Sequence, residues 1–474
     1  MKFVADLHLH SKYSRAVSQA MTLPNMAKWA KYKGISVLAT GDFTHPFWFE
    51  QLKNELEEVG NGLYRLKQIS PSTSSGDNSE NVHFLLSCEV SSIYSQGGKG
   101  RRIHNLFFFP DLASVEKFNK ELLKRRANLR ADGRPIVGIP SAVLAEIALS
   151  CNEKALVIPA HAWTPWFSVF GSFSGFDSIE ECFGDMSKYI YGIETGLSSD
   201  LAMNWQVGDL DNRSILSFSD AHSLPKMGRE ATVFEGEEVS YDCIYDAIKN
   251  VSKGTKESNE SNVKKTSDSS DSSVTSVAFP KIAFTIEFYP EEGKYHFTGH
   301  RDCNFSQSPE ESRKNGDICP VCHKPLTVGV MHRVEDLKTR NPKSEIRNKD
   351  GLRWTYADGN TRSPYVSLVP LYEIIAEAVG VAPASKKVEE VYLGLVNSLG
   401  SEFSILMRTD LAQIAKFSSQ KVADGVSRVR SGNIVVEPGY DGKFGVVKIW
   451  EETVVNVVKE DDSSQNDTQL NLFA

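Results

Sequence analysis

Seven short apolar runs recur through the first 251 residues, at 3–7, 35–40, 82–88, 103–109, 155–160, 189–193 and 215–218, with polar and helix-like segments between them. Strands that alternate with helices pack as a parallel sheet, so the pattern predicts an α/β fold built on a seven-stranded (β/α) barrel. The first intervening helix has Pro24 in its opening turn and Gly34 just past its end. Proline presets a helical φ where no backbone donor is needed, and glycine takes the left-handed turn that stops a helix.

What stands at or near the ends of these runs narrows the chemistry. The first run leads into Asp6-Leu7-His8-Leu9-His10, where strand alternation sends Asp6, His8 and His10 to one side. Later runs deliver Asp42 and His45, then Glu89, His104, His161, Glu194, and finally Asp220 and His222. Each has an ordinary role open to it, as a helix cap or a hydrogen-bonded core group. Their recurrence at one end of a barrel, where such folds carry active sites, predicts metal binding instead. The donors outnumber the needs of one ion, so two or three divalent ions are expected, of zinc, manganese, magnesium or iron. Such ions acidify bound water and stabilise charge on a phosphoryl group, which points to phosphoester hydrolysis.

Length and composition set the surroundings. A chain of 474 residues exceeds the usual single core. Residues 252–277 hold nine serines and only Val263, Val274 and Val277 as large apolar residues, the composition of a disordered linker. The expected organisation is a catalytic barrel at 1–251, this linker, a zinc-binding module at 278–357, a helical region at 358–458 and a flexible tail at 459–474. A polar insert at 71–81 reads as a surface loop. No long apolar stretch suggests a membrane span, and Asp6, His8 and His10 interrupt any signal-peptide core, so a cytoplasmic protein without membrane contact is expected. Cys88, Cys151, Cys182 and Cys243 sit among apolar neighbours, as buried thiols would. The remaining cysteines cluster: His300-x-x-Cys303 and Cys319-x-x-Cys322 have the spacing of one structural zinc site, with redox use of Cys319 and Cys322 as the alternative.

The net charge of −8 argues against coating nucleic acid by charge alone, yet stretches 120–134 and 333–353 are locally basic and suit either a phosphate backbone or a solvated face. The loop after His161 is dense in aromatics, Trp163, Trp166, Phe167, Phe170 and Phe173, fit for lining a base pocket or for packing over the core. Helices are expected at 368–379, 386–399, 409–417 and 420–430, then a hairpin through Gly439-Tyr440-Asp441-Gly442.

The motifs Asp6–His10, Gly41-Asp42-Phe43-Thr44-His45, Glu89, His104, Pro159-Ala160-His161 and Ser219-Asp220-Ala221-His222 resemble the polymerase and histidinol phosphatase (PHP) family. The resemblance implies a distorted seven-stranded barrel with a trinuclear metal site, ligated by His8, His10, Glu89, His104, His161, Asp220 and His222. Two departures stand out. The family usually has Thr-Asp-His in its second motif, whereas His45 here follows Asp42 by three residues, leaving open which of the two binds metal. The Asp or His often found after the first motif is replaced by Lys12-Tyr13-Ser14-Arg15.

With the second half included, the chain resembles the endonuclease Q family, through 5–16, 41–46, 299–303, 318–322 and Met331-His332-Arg333-Val334-Glu335. That resemblance implies a DNA repair endonuclease cutting 5′ of uracil, hypoxanthine, xanthine or an abasic site, leaving 3′-hydroxyl and 5′-phosphate. His8, His10, Asp42, Glu89, His161, Asp220 and His222 would be its catalytic residues, acting in the cytoplasm at the nucleoid. Rival readings are a small-molecule phosphomonoesterase on the same barrel and an inactive DNA- or clamp-associated adaptor. The last residues, Gln469-Leu470-Asn471-Leu472-Phe473, resemble the bacterial sliding-clamp-binding pentapeptide, with Gln469, Leu470, Leu472 and Phe473 as its anchors.

Overall fold

The computed structural model of the chain describes residues 1–67, 82–250 and 279–450. The expected loop at 71–81, linker at 252–277 and tail with Gln469, Leu470, Leu472 and Phe473 lie outside the described residues.

A strand forms at each of the seven apolar runs. Lys2–Asp6 pairs in parallel with Val37–Ala39, which pairs in parallel with His83–Gln96. Gly192–Glu194 and Ser214–Leu216 form a separate parallel pair. Backbone bonds link that pair to the rest: Ala162 N–H donates to the Glu194 carbonyl at 2.9 Å, and Leu9 bridges Ala221 in parallel. Alternation along the strands divides their apolar side chains. Val37, Ala39, Leu85, Leu106 and Ile158 join one buried cluster; Leu38, Phe84, Leu86, Phe107 and Val157 join another on the opposite face. Burial on both faces is why these runs are continuously apolar.

The all-parallel expectation fails at one strand. Lys99–Phe109 runs antiparallel to both its neighbours, His83–Gln96 and Leu156–Pro159. The cause is the two-residue connection Gly97-Gly98, with φ of 62° and 74°. A link that short closes a hairpin and cannot carry a helical crossover. The hairpin sets His104, midway along this strand, opposite Ser91, two residues from Glu89 and on the same face.

The first helix forms at Leu23–Lys33, with proline in its first turn and Gly34 at φ 88° as its stop. The sheet also crosses the polar stretch that composition marks as a boundary. Ala231–Glu235 pairs antiparallel with Lys2–Asp6 and with Lys281–Glu287, and Tyr365–Ser367, Leu352–Ala357 and Ser344–Lys349 follow in order. Residues on both sides of 251–278 therefore share one sheet. Helices Leu371–Val379, Lys386–Leu399, Leu411–Phe417 and Gln420–Ser431 form where expected, joined by a short helix Glu402–Met407 and followed by the hairpin Val435–Glu437 with Val446–Lys448. Lys33 of the first helix meets Glu402 at 2.7 Å, both side chains almost fully buried, and docks this region against the first.

Candidate active site

Two groups of ligand atoms assemble where the strands end. His8, His10 and Asp220 form one; Glu89, His104 and His161 form the other, with the ligand atoms of each group within 4.8 Å of one another. Glu89 stands between them. Its Oε1 lies 2.7 Å from His104 Nδ1 and 3.1 Å from His161 Nε2, while its Oε2 lies 3.3 Å from His10 Nε2. Six of the nine expected ligands are thus brought together.

The donor set, imidazoles and carboxylates with buried, unpaired atoms, has the chemistry that suits divalent cations. His8 Nε2, His10 Nε2 and Asp220 Oδ1 are buried and make no hydrogen bond among the described residues, although Asp220 Oδ1 lies 3.5 Å from His8 and 3.3 Å from His10. Buried polar atoms without partners are costly, and divalent cations would satisfy all three. Charge is arranged accordingly. Burial opposes ionisation of Glu89, but His104 and the Arg134 guanidinium, 3.1 Å away, hold its carboxyl well below the usual range. Burial likewise works against a charged His8, yet Glu194 and Asp220 raise it well above the ordinary imidazole value. The same opposition of burial by His8 and His10 holds Asp220 well below the usual carboxylate range. The backbone is strained here too: Asp42, His161 and Asp220 have φ of 51°, 29° and 45°, unusual for residues other than glycine and typical of functional sites. Gly196 lies so close to His161 that a Cβ would stand 2.5 Å from the histidine Cβ.

Behind the ligands stands a row of orienting carboxylates. Glu194 accepts from His8 Nδ1 at 2.9 Å and from the His161 backbone N–H at 2.7 Å. Asp42 faces His10 Nδ1 at 3.1 Å, and its other oxygen accepts from Ser11 N, Ser11 Oγ and Ser14 Oγ. Such partners fix the tautomer and direction of a ligand imidazole. Asp6 is drawn elsewhere, accepting from the backbone N–H groups of Ser219 and Gly228. Asp42, His45 and His222 lie outside the two ligand groups. His45 stacks on Tyr13, and His222 lies near His10, 4.8 Å between ring centroids, with its Nδ1 on the Asp220 carbonyl. The orienting role of Glu194 and the contact of Arg134 were not legible in advance: Glu194 was one more carboxylate after a strand, Arg134 one more cation in a basic run.

A third group, away from these strands, joins His300, Cys303, Cys319 and Cys322. It sits on the strand pair Thr298–His300 and Phe305–Gln307 and the turn that follows Ile318. Burial works against the thiolate of Cys319, but backbone N–H groups of Cys322 and Val321 bring it down to about 7, as a metal thiolate requires. Much of the second basic stretch is used internally: Arg333 donates to the Phe170 and Phe176 carbonyls, and Arg340 pairs with Asp211.

A cavity of about 900 Å³ opens on His104, His161 and Asp220 and extends between the two halves of the chain. Trp166, Phe167, Phe288, Tyr295 and Tyr372 give it apolar walls, and Lys226 and Arg229 stand among the cations that line it. The aromatic loop is therefore divided. Trp163 and Phe170 stack on each other in the core, while Trp166 and Phe167 face the cavity.

Endonuclease Q in complex with a 27-mer duplex substrate carrying an abasic lesion at its active site is 30% identical to this chain, with a TM-score of 0.75 over 95% of this chain and 98% of that one. The chain belongs to the endonuclease Q family. A second member, the lesion-specific endonuclease PfuEndoQ of Pyrococcus furiosus, is 29% identical with a TM-score of 0.73, covering 95% and 96% of the two chains. The family model of the MJ0043 C-terminal domain matches residues 370–433, the helical region. Among sequence relatives, protein YqxK of Bacillus subtilis is 26% identical over 94% of this chain and 99% of its own length. Protein MJ0043 of Methanocaldococcus jannaschii is 29% identical over 62% of this chain; the match spans 32% of that longer relative.

Proposed function

We propose that the chain is a metal-dependent DNA repair endonuclease that cuts the phosphodiester 5′ of a deaminated or abasic nucleotide, leaving 3′-hydroxyl and 5′-phosphate ends. The carrying observation is that Glu89 joins two sets of convergent donors, three of which, His104, His161 and Asp220, line a cavity of about 900 Å³, large enough for a nucleobase. Membership of the endonuclease Q family supports DNA as the substrate.

His8, His10 and Asp220, with Glu89, His104 and His161, would hold the divalent ions, on a seven-stranded barrel spanning residues 1–251. Such ions polarise a phosphoryl oxygen and acidify water, and oxygen and imidazole donors suit zinc, manganese, magnesium or iron. Glu194 and Asp42 keep the His8 and His10 rings aimed. Arg134 leaves positive charge beside Glu89, where a phosphate would enter. An extruded base enters the cavity against Trp166 and Phe167, where aromatic faces replace the stacking lost from the duplex. His300, Cys303, Cys319 and Cys322 suit one structural zinc, at a distance from the chemistry.

The test is nicking of an end-labelled duplex carrying one uracil, hypoxanthine, xanthine or abasic site. Cleavage lost in His8→Ala and Asp220→Ala is expected, and a duplex left intact with every divalent metal tried would sink the reading. Metal analysis belongs to the same experiment: Cys319→Ser should lose zinc while the wild type retains it. We also propose the sliding clamp as partner of Gln469–Phe473. Deleting those residues should abolish clamp binding and leave nicking of free oligonucleotides unchanged; undiminished clamp binding would refute the assignment.

A further inference from the structure

On the outer side of His10, three aromatic rings meet where three loops converge. Tyr13 stacks on His45 with centroids 4.5 Å apart and planes within 20°, and Phe47 closes the set at 5.8 Å from His45 and 6.4 Å from Tyr13. Phe47 is 56% exposed, although Trp48 and Phe49, which follow it in the first turn of the helix Pro46–Glu55, are buried. The Arg130 guanidinium lies over its ring at 5.7 Å, and Lys12 Nζ lies 5.4 Å from the Tyr13 ring. Arg15, exposed on the same loop as Tyr13, pairs with Asp132 at 3.5 Å.

This surface is braced to the ligands. Gly133 N–H donates to the Tyr13 carbonyl and Thr44 Oγ1 to the Gly133 carbonyl, at 3.0 and 3.1 Å. Ser11 and Ser14, on either side of Tyr13, both donate to Asp42, which in turn holds His10. The cavity is lined by other residues. Of the three rings only Phe47 is exposed, with His45 buried and Tyr13 half-buried beneath it; an exposed ring beside cations is what single-stranded nucleic acid selects, because a base stacks on the ring and phosphates pair with the cations.

We propose that Phe47, backed by Tyr13 and His45 and flanked by Arg130, forms a stacking platform for the base of the nucleotide adjoining the cleaved phosphate. The inference rests on the endonuclease reading and adds a second base-binding surface to the cavity. The damaged base occupies the cavity; its neighbour in the strand lies on Phe47, its phosphate beside Arg130 and Arg15.

The test uses the full-length protein and a duplex with one abasic site and 2-aminopurine at each flanking position in turn. Phe47→Ala and Arg130→Ala should each raise KM by about tenfold, the scale of one lost base stack, with kcat within about twofold of wild type. Phe47→Trp should restore KM and Phe47→Leu should not. Binding by the wild type should alter 2-aminopurine fluorescence at one flanking position, and Phe47→Ala should abolish that change. A Phe47→Ala variant with wild-type KM and wild-type fluorescence, or rescue by leucine as well as by tryptophan, would overturn the platform. Absence of nicking by the wild type speaks against the endonuclease reading instead, and the fluorescence arm then still decides whether Phe47 holds a base.

Discussion

Asp42 has both carboxylate oxygens engaged: Oδ1 faces His10, and Oδ2 accepts from Ser11 and Ser14. Burial opposes its charge, but the His10 hydrogen bond holds its carboxyl below the ordinary value. Those bonds suit a residue that positions the His10 imidazole, and they bear on the choice between Asp42 and His45. Asp42→Asn keeps the shape but presents the wrong partner to His10 Nδ1. Its affinity for divalent metal should fall by about 10- to 100-fold, read by calorimetric titration, while His45→Ala should titrate as wild type. Equal affinity in Asp42→Asn would remove the orienting role. The six converging donors were legible as candidates because histidine and carboxylate recur at or near the strand ends. Their division of labour was not, since spacing along a chain does not say which of two carboxylates reaches the metal and which stands behind an imidazole.

Among elements, the strand Lys281–Glu287 carries the least comfortable residue. Burial raises the Glu287 carboxyl to about 8, against a hydrogen bond from the Ser217 hydroxyl. Glu230, also fully buried, is raised well above the usual range by burial and by Glu287. A carboxyl raised on folding stabilises the fold fully below its unfolded value near 4.5 and loses that contribution as pH rises through about 8. Urea midpoints of the wild type should therefore decline from pH 5 to pH 9, and Glu287→Gln should flatten that decline. Parallel pH profiles for the two proteins would show that Glu287 titrates normally. Elements themselves were readable to the extent that their signals are local. Lys386–Leu399 forms where periodicity and the serine before it indicate, whereas Glu402–Met407 is too short to show a period. The reversal of Lys99–Phe109 was written in Gly97-Gly98, a local turn signal whose consequence for the whole sheet was easy to pass over.

For the whole molecule, the two halves are joined by more than the polar segment between them. One sheet runs from Lys2–Asp6 through Ala231–Glu235 into Lys281–Glu287. The buried Lys33–Glu402 pair, with Tyr392 OH and Leu371 N–H also donating to Glu402, ties the helical region to the first helix. The cavity depends on this docking. His104, His161 and Asp220 form its floor, but Phe288, Tyr295 and Tyr372 come from beyond residue 279. A chain ending before residue 279 would keep the metal ligands and lose that wall.

The sequence alone determined the strands, most helices, the donors of both candidate metal sites and the family, because each depends on residue type and short-range spacing. Tertiary structure alone decided which donors converge, that Glu89 stands between two groups, that Glu194 and Asp42 hydrogen-bond the His8 and His10 imidazoles, and that the cavity lies between the halves. Those outcomes depend on distances between residues far apart in the chain, set when strands take their register and the second half docks against the first.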